Sequence, residues 1–152
     1  MIMLTEFKKY IEKHNLIEKG DKILLALSGG VDSMVLAKLL LAVSRQLSAN
    51  SQLFFAHCNF HLRGEDSNRD ERFVKEFAKE NGIELFVKHF DTEAYAKEKS
   101  LSIEMAAREL RYAWFEELKN IHNINKVALA HHGDDQIETF FINFLRGAGL
   151  KS

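Results

Sequence analysis

The sequence predicts an α/β fold, a doubly wound parallel sheet with helices on both faces, and three observations carry that prediction. Short apolar runs alternate with longer helical patterns, which implies parallel strands joined by right-handed crossovers. A glycine-bearing turn, SGGVDS at 28–33, joins the first such run to the helix after it. Polar clusters follow the first, second and fourth runs (SGGVDS, HCNFHLR and HHGDD), so residues remote in sequence can line one crevice beyond the carboxyl ends of the strands.

Taken in order, Met3 to Asn15 place Phe7, Tyr10 and Ile11, with Met3 and Leu4, along one face of an amphipathic lead-in helix. Ile23 to Leu27 are apolar at every position, too short a run for a typical helix and suited to a strand buried on both faces. Val31 to about Leu47 is apolar nearly all round, as expected of a helix with little solvent-facing surface. A second run, Leu53 to Ala56, leads to His57 and Cys58.

The polar stretch NFHLRGEDSNRDER then reads as a loop passing into a helix that carries Phe73, Val74 and Phe77 and ends near Asn81-Gly82. Ile83 to Phe90 is a third strand, and Thr92 to Lys99 a short polar helix or loop. Ser102 is placed to cap a longer helix with Ile103, Ala107, Leu110, Trp114, Leu118 and Ile121 at three- and four-residue steps. Lys126 to Ala130 forms a fourth strand ending at His131-His132. A last helix from near Asp134 is expected to bury Ile137, Phe140, Phe141, Phe144 and Leu145.

With 152 residues, 46% of them apolar, the chain is sized for one domain that buries roughly 70% of its unfolded surface. Its net charge of −1 gives no global attraction for nucleic acid, so any RNA affinity must come from a local basic patch or from protein outside this chain. The single cysteine, Cys58, excludes a disulfide framework or a CxxC pair and fits a reducing compartment, the cytoplasm. The N-terminal stretch lacks a continuous apolar h-region and no 18-residue apolar span occurs, so neither secretion nor membrane insertion is expected.

The turn is the chemical centre of this pattern. Ser28, Gly29 and Gly30 let the backbone approach a bound group closely, and the helix that opens at Val31 offers unpaired N–H groups and a positive dipole end to an anion such as phosphate. Ser28 and Ser33 add hydroxyls. Asp32 stands out there, because a dipole-favoured acid gains only roughly 0.3–1 kcal/mol. A phosphate about 4 Å away would repel it by roughly 4 kcal/mol at an effective dielectric of about 20. A Mg²⁺ ion between the two resolves the conflict, which makes Asp32 a candidate metal ligand; the alternative is an ordinary first-turn acid. The turn lacks the GxxxxGK[ST] lysine and is not a Walker-type loop.

Asp135 and Glu138, three residues apart at the start of the last helix with Thr139 beside them, can share a face that holds an ammonium group, or can be acids on a solvated face. His131 and His132 point to opposite sides of a strand. His57, Cys58, His61, His131 and His132 are candidate neighbours at the strand ends, but none has zinc-motif spacing. Arg108 and Arg111 fit a phosphate or RNA backbone, while Glu104 four residues before Arg108 fits a helix-surface salt bridge. Arg63, Arg146 and Lys151 extend a basic rim or are scattered surface charges.

In order and spacing, SGGVDS, HCNFHLRGEDS, IEMAARELRYAWF and LAHHGDDQIETFFINFLRGAGL resemble the N-terminal catalytic domain of the tRNA(Ile)-lysidine synthetase family, over almost the whole chain. SGGxDS alone is shared by the wider PP-loop ATP pyrophosphatases, whose fold is the adenine nucleotide alpha hydrolase type; AARxxRY with AHHxDDQxET resembles the lysidine enzymes in particular. The resemblance implies an ATP-dependent, cytoplasmic ligase. Its substrates would be lysine, ATP and the wobble cytidine of a CAU-anticodon isoleucine tRNA, with no membrane partner; a homodimer is one option for the full-length protein, whose oligomeric state the sequence leaves open.

Carried over, Ser28, Gly29, Gly30, Val31, Asp32 and Ser33 would hold the ATP phosphates, with Asp32 on Mg²⁺. Asp135 and Glu138 would position the lysine, and Arg108, Arg111 and His131 would surround the adenylated base. Two departures accompany the resemblance. Phe60 stands where the family's HxxHxLR pattern has its second histidine, so His61 inherits no catalytic role. The chain also ends at Lys151-Ser152, before the expected last strand and the C-terminal tRNA-binding region, as an excised domain would. The rival readings are a sulfur-transferring PP-loop enzyme, which generally wants more than one cysteine, and a non-catalytic adenine-nucleotide-binding module.

Overall fold

A computed structural model describes residues 2–47, 52–131 and 141–145. Its elements run α1 (Ile2–Lys13), β1 (Lys22–Ala26), α2 (Val31–Leu47), β2 (Gln52–Asn59), α3 (Glu65–Asn81), β3 (Glu84–His89), α4 (Thr92–Lys99), α5 (Ile103–His122), β4 (Lys126–His131) and β5 (Phe141–Leu145). The strands form one sheet in the order β3-β2-β1-β4-β5. β1 pairs in parallel with β2 on one side and β4 on the other, and β2 pairs in parallel with β3. The chain therefore reverses its direction of winding at β1, and the carboxyl end of β1 is where such a fold opens a crevice.

Alternation along the strands divides the core in two. Ile23, Leu25, Leu27 and Phe55 face one cluster with Phe7, Ile11, Leu36, Val43 and Val74 of α1, α2 and α3. Leu24, Ala56, Val127 and Leu129 face the other, with Phe90 and with Trp114, Phe115 and Leu118 of α5. Helices thus cover both faces, as the apolar runs imply. Among the described residues no helix is long and apolar enough to cross a membrane.

The ends of the elements follow local chemistry. Ser102 caps α5 as expected, its Oγ accepting the Met105 N–H at 3.1 Å; Ser102→Ala should lower stability by about 1 kcal/mol in urea denaturation. α3 starts inside the polar stretch and ends at Gly82 in a left-handed cap (φ +65°). β2 runs three residues beyond Ala56, because its polar residues continue the ladder to β3.

Two expectations are corrected. Residues 141–145 form a strand, not part of a helix: Phe-Ile-Asn-Phe-Leu is rich in β-formers and pairs antiparallel with β4, so the sheet is parallel except at this edge. Residues 132–140, where the rest of that helix was expected, lie outside the described residues. On α5 the buried face is Ala106, Ala107, Trp114, Phe115 and Leu118, whereas Ile103 and Ile121 are 41% and 67% exposed. The helix packs through its middle turns only.

Candidate functional site

At the carboxyl end of β1 the chain makes the SGGVDS turn, and the structure shows what shapes it. Gly29 adopts φ +90°, a conformation that side chains disfavour. Ser33 Oγ accepts the Ser28 N–H and donates to the Gly30 carbonyl, each at 3.1 Å. The only proton of Ser33 Oγ is thereby used, so Ser28 Oγ donates in its 3.1 Å contact with Ser33 Oγ while accepting the Gly30 N–H. Both hydroxyls that the sequence offered as phosphate donors are engaged inside the turn. The first intrahelical bond of α2 that closes on the turn is Met34 N–H to the Gly30 carbonyl, so the turn opens directly into a helix N-terminus, the end that favours an anion.

His57 secures the turn from below. It is buried, and its Nδ1 lies 2.7 Å from the Leu27 carbonyl, to which it donates, while its Nε2 has no hydrogen-bond partner. The Leu27 N–H bonds the Ala56 carbonyl at 2.8 Å, so the last residue before the turn is held from both sides.

A crevice of about 520 Å³ opens beside the turn. Its walls are Ser28, Gly30, Val31, Asp32 and Ser33 of the turn, with Ala56, Cys58 and Phe60 from β2 and its loop, Leu129 and Ala130 from β4, and Arg111 and Phe115 from α5. The lining is largely apolar, as the site of an aromatic base is, and among the described residues it carries one acid, Asp32, and one guanidinium, Arg111. The Arg111 guanidinium lies 5.6 Å from the centroid of Phe60, whose ring stacks on Phe90 at 5.4 Å. Phe60, the departure from the family pattern, therefore supports Arg111 at the crevice wall.

Arg108 sits one turn before Arg111, exposed, with its guanidinium 5.3 Å from the Tyr112 ring; it pairs with Tyr112 and not with Glu104, and it does not line the crevice. Burial pushes the Cys58 thiol up to about 12, and the nearby Arg111 and Lys88 offset this only in part. Such a thiol is not a nucleophile at neutral pH. The backbone of His131 pairs with Phe141. Its side chain, with Asp135, Glu138, Thr139, His132, Arg146 and Lys151, lies outside the described residues.

His61, left-handed at φ +53°, turns away from the crevice onto His89, with its Nε2 2.7 Å from His89 Nδ1. His89 Nε2 reaches Glu71 Oε1 at 2.8 Å, and Asn59 donates to the same oxygen at 3.0 Å. Burial alone would push Glu71 up, but Lys75, Asn59 and His89 together bring it below its ordinary value of 4.5. This network fastens the 60–64 loop to α3. Among the described residues no three His, Cys, Asp or Glu side chains converge on a metal position.

Two features of the site carried no signal in the sequence. Asp70 of α3 packs against Gly29, and His57 pins Leu27; each depends on tertiary contact alone.

A family model described as the PP-loop domain matches residues 2–152. The tRNA(Ile)-lysidine synthase of Bacteroides thetaiotaomicron is 51% identical over 142 residues, which are 93% of this chain and 32% of that protein. That of Parabacteroides distasonis is 46% identical over 98% of this chain and 33% of its own length. The chain thus spans about a third of the length of these curated relatives. Among solved structures, the U34-tRNA thiolase NcsA of Methanococcus maripaludis matches with a TM-score of 0.68 at 23% identity, over 84% of this chain and 45% of that one. The NH3-dependent NAD synthetase of Campylobacter jejuni matches with a TM-score of 0.59 at 17% identity, over 82% of this chain and 53% of that one. These two share the fold. Because the family match runs unbroken through the turn after β1 and the strands on either side of it, the chain belongs to the PP-loop family.

Proposed function

We propose that this chain is the ATP-binding catalytic domain of a tRNA(Ile)-lysidine synthase, with the tRNA-binding region supplied by further protein. The observation that carries the reading is the convergence of the SGGVDS turn and Arg111 on one crevice, in a chain 51% identical to a lysidine synthase across nearly its whole length. In the proposed reaction the O2 oxygen of the wobble cytidine attacks the α-phosphorus of ATP, the bond to the β-phosphate breaks, and pyrophosphate leaves. The lysine amine then attacks C2 and loses a proton, while the C2–O bond breaks and releases AMP.

In this reading the adenine lies on the apolar floor between Ala56, Cys58, Phe115 and Leu129, and the phosphates meet the N–H groups at the start of α2. Asp32, a half-buried acid at that anion site, is suited to hold Mg²⁺. The ion would neutralise the charge on the phosphates. Arg111, backed by Phe60, faces the space between nucleotide and base, with Arg108 and His131 further around it; Asp135 and Glu138 receive the lysine. A sulfur-transfer reading is weaker, since the one cysteine has a thiol held protonated by its burial.

Titration calorimetry of the chain with ATP, in Mg²⁺ and then in EDTA, tests the nucleotide half. Asp32→Asn should weaken Mg-ATP binding roughly tenfold to hundredfold, the cost of removing one partner from a desolvated charge pair, with an unchanged urea midpoint. Equal loss of folding and binding would make Asp32 a structural acid. The tRNA half is tested with the full-length protein, lysine, ATP and the tRNA: mass spectrometry showing an unmodified wobble cytidine would overturn it.

A further inference from the structure

We infer that Arg63 is a pyrophosphate-binding residue, held against the phosphate turn by Asp70 until a nucleotide draws it away. The inference rests on the ATP reading and extends it to a residue outside the crevice. The side chain of Asp70 packs directly on Gly29: a Cβ built on that glycine would lie 3.0 Å from Asp70 Cβ and 3.3 Å from Oδ1. An acid is thus fixed at the turn that receives the phosphates, and it is not among the residues that line the crevice. This carboxylate draws a cation to the turn while no phosphate is there.

The cation present is Arg63, whose Nη1 stands 3.4 Å from Asp70 Oδ2 and whose Nη2 stands 3.9 Å from Asp66 Oδ2. Both contacts are longer than the 2.7–2.9 Å expected of a tight guanidinium–carboxylate bond. Arg63 is 66% exposed, and Asp66 is shared with Arg69 at 3.2 Å, so the guanidinium is weakly held. Its backbone is not. The Arg63 N–H bonds Ser67 Oγ at 3.1 Å, and its carbonyl accepts the Asp66 N–H at 3.1 Å, anchoring the residue to the first turn of α3.

A backbone fixed on α3 and a loosely held guanidinium joined to Gly29 through the Asp70 carboxylate make an arm that a rotamer change can redirect to an anion at the turn. An arginine presents two parallel donors to a phosphate, which a pyrophosphate matches better than a single carboxylate oxygen does. The β- and γ-phosphates would thus draw Arg63 from Asp70, and departure of pyrophosphate would return it.

The test compares ATP, pyrophosphate and AMP binding to the chain in Mg²⁺. Arg63→Ala should weaken ATP and pyrophosphate roughly tenfold to hundredfold, the range for loss of charged hydrogen bonds, and leave AMP within about twofold. Arg63→Lys should recover part of that loss, and Asp70→Asn should leave ATP binding unchanged or tighter. Equal weakening of AMP and ATP in Arg63→Ala would make the residue structural, and unchanged ATP binding would remove it from the site; either overturns the inference while the nucleotide reading stands. Weaker Mg-ATP binding in Asp70→Asn would make Asp70 a cation ligand and overturn its role as the resting partner. A wild-type chain that binds no ATP would overturn both the inference and the reading beneath it.

Discussion

Lys126→Met should destabilise the chain by about 3–5 kcal/mol in urea denaturation, more than any single change at the crevice. Lys126 is 2% exposed at the start of β4, at the pole of the sheet opposite the turn. Its Nζ meets Asp21 Oδ2 at 2.5 Å and donates to the Leu16 carbonyl at 2.6 Å. Asp21 also accepts the Glu18 N–H at 2.7 Å and the Asn125 amide at 2.9 Å, and its carbonyl receives the Gln52 N–H. One ion pair therefore ties together the amino ends of β1, β2 and β4. Without the ammonium, the Asp21 carboxylate stays buried with neutral donors only. Asp21→Asn in the same chain should recover much of the loss, because the cost lies in the uncompensated charge.

The pair also sets an acid response. Burial pushes the Asp21 carboxyl up, but the Glu18 N–H, Lys126 and Asn125 outweigh it and hold the group below its ordinary value of 3.8. A carboxylate depressed in the folded state adds stability that is fully present above the unfolded value and is lost as pH falls through the folded one. Lys126→Met forfeits that contribution. The stability gap between wild type and variant should therefore be widest near neutrality and narrow below about pH 4, which denaturation midpoints at several pH values would show. A gap independent of pH would mean that Lys126 acts through its packed alkyl stem.

The parts of the fold legible in the sequence are those where hydrophobic pattern and turn chemistry agree. β1 and α2 on either side of SGGVDS follow from an uninterrupted apolar run, two glycines and an apolar helix. β2 extends through His57, Cys58 and Asn59, whose polar side chains hide the strand from a hydrophobic criterion; the Leu27 carbonyl and Glu71 satisfy two of them only in the folded chain. FFINFL satisfies helical spacing and β-propensity at once, and pairing with β4, a long-range contact, decides 141–145. In the site, spacing placed Arg111 on the helix face that reaches the crevice but could not separate it from Arg108, whose direction one turn earlier is set by Tyr112. Asp70 had no signal, since its role depends on packing against a glycine 41 positions before it in the chain.

Gly29→Ala should lower stability by about 1–3 kcal/mol and weaken ATP binding by more than that strain alone accounts for. Two costs coincide at this residue. At φ +90° any side chain is strained, and the new Cβ would lie 3.0 Å from Asp70 Cβ and 3.2 Å from Asp70 Cγ, which an α3 fixed by Val74 and Ala78 in the core cannot readily yield. The alternative, relaxing φ to a negative value, reorients the peptides between Ser28 and Gly30 and disturbs the Ser28–Ser33 and Gly30–Ser28 hydrogen bonds that shape the anion site. Gly30→Ala provides the comparison. Its φ is not positive and its Cβ would meet only Ser28 Oγ, at 3.3 Å, so its folding cost should be the smaller. Combining Gly29→Ala with Asp70→Gly then separates the two costs: removing Asp70 Cβ with the carboxylate relieves the contact but leaves the backbone strain at residue 29, and the single Asp70→Gly chain accounts for the helix cost of the new glycine. Melting temperatures of the four chains in that cycle, read beside their ATP affinities, distinguish the cases. Recovery of stability without recovery of binding places the turn's backbone conformation at the centre of nucleotide recognition, and recovery of both would reduce Gly29 to a space-saving residue beneath α3.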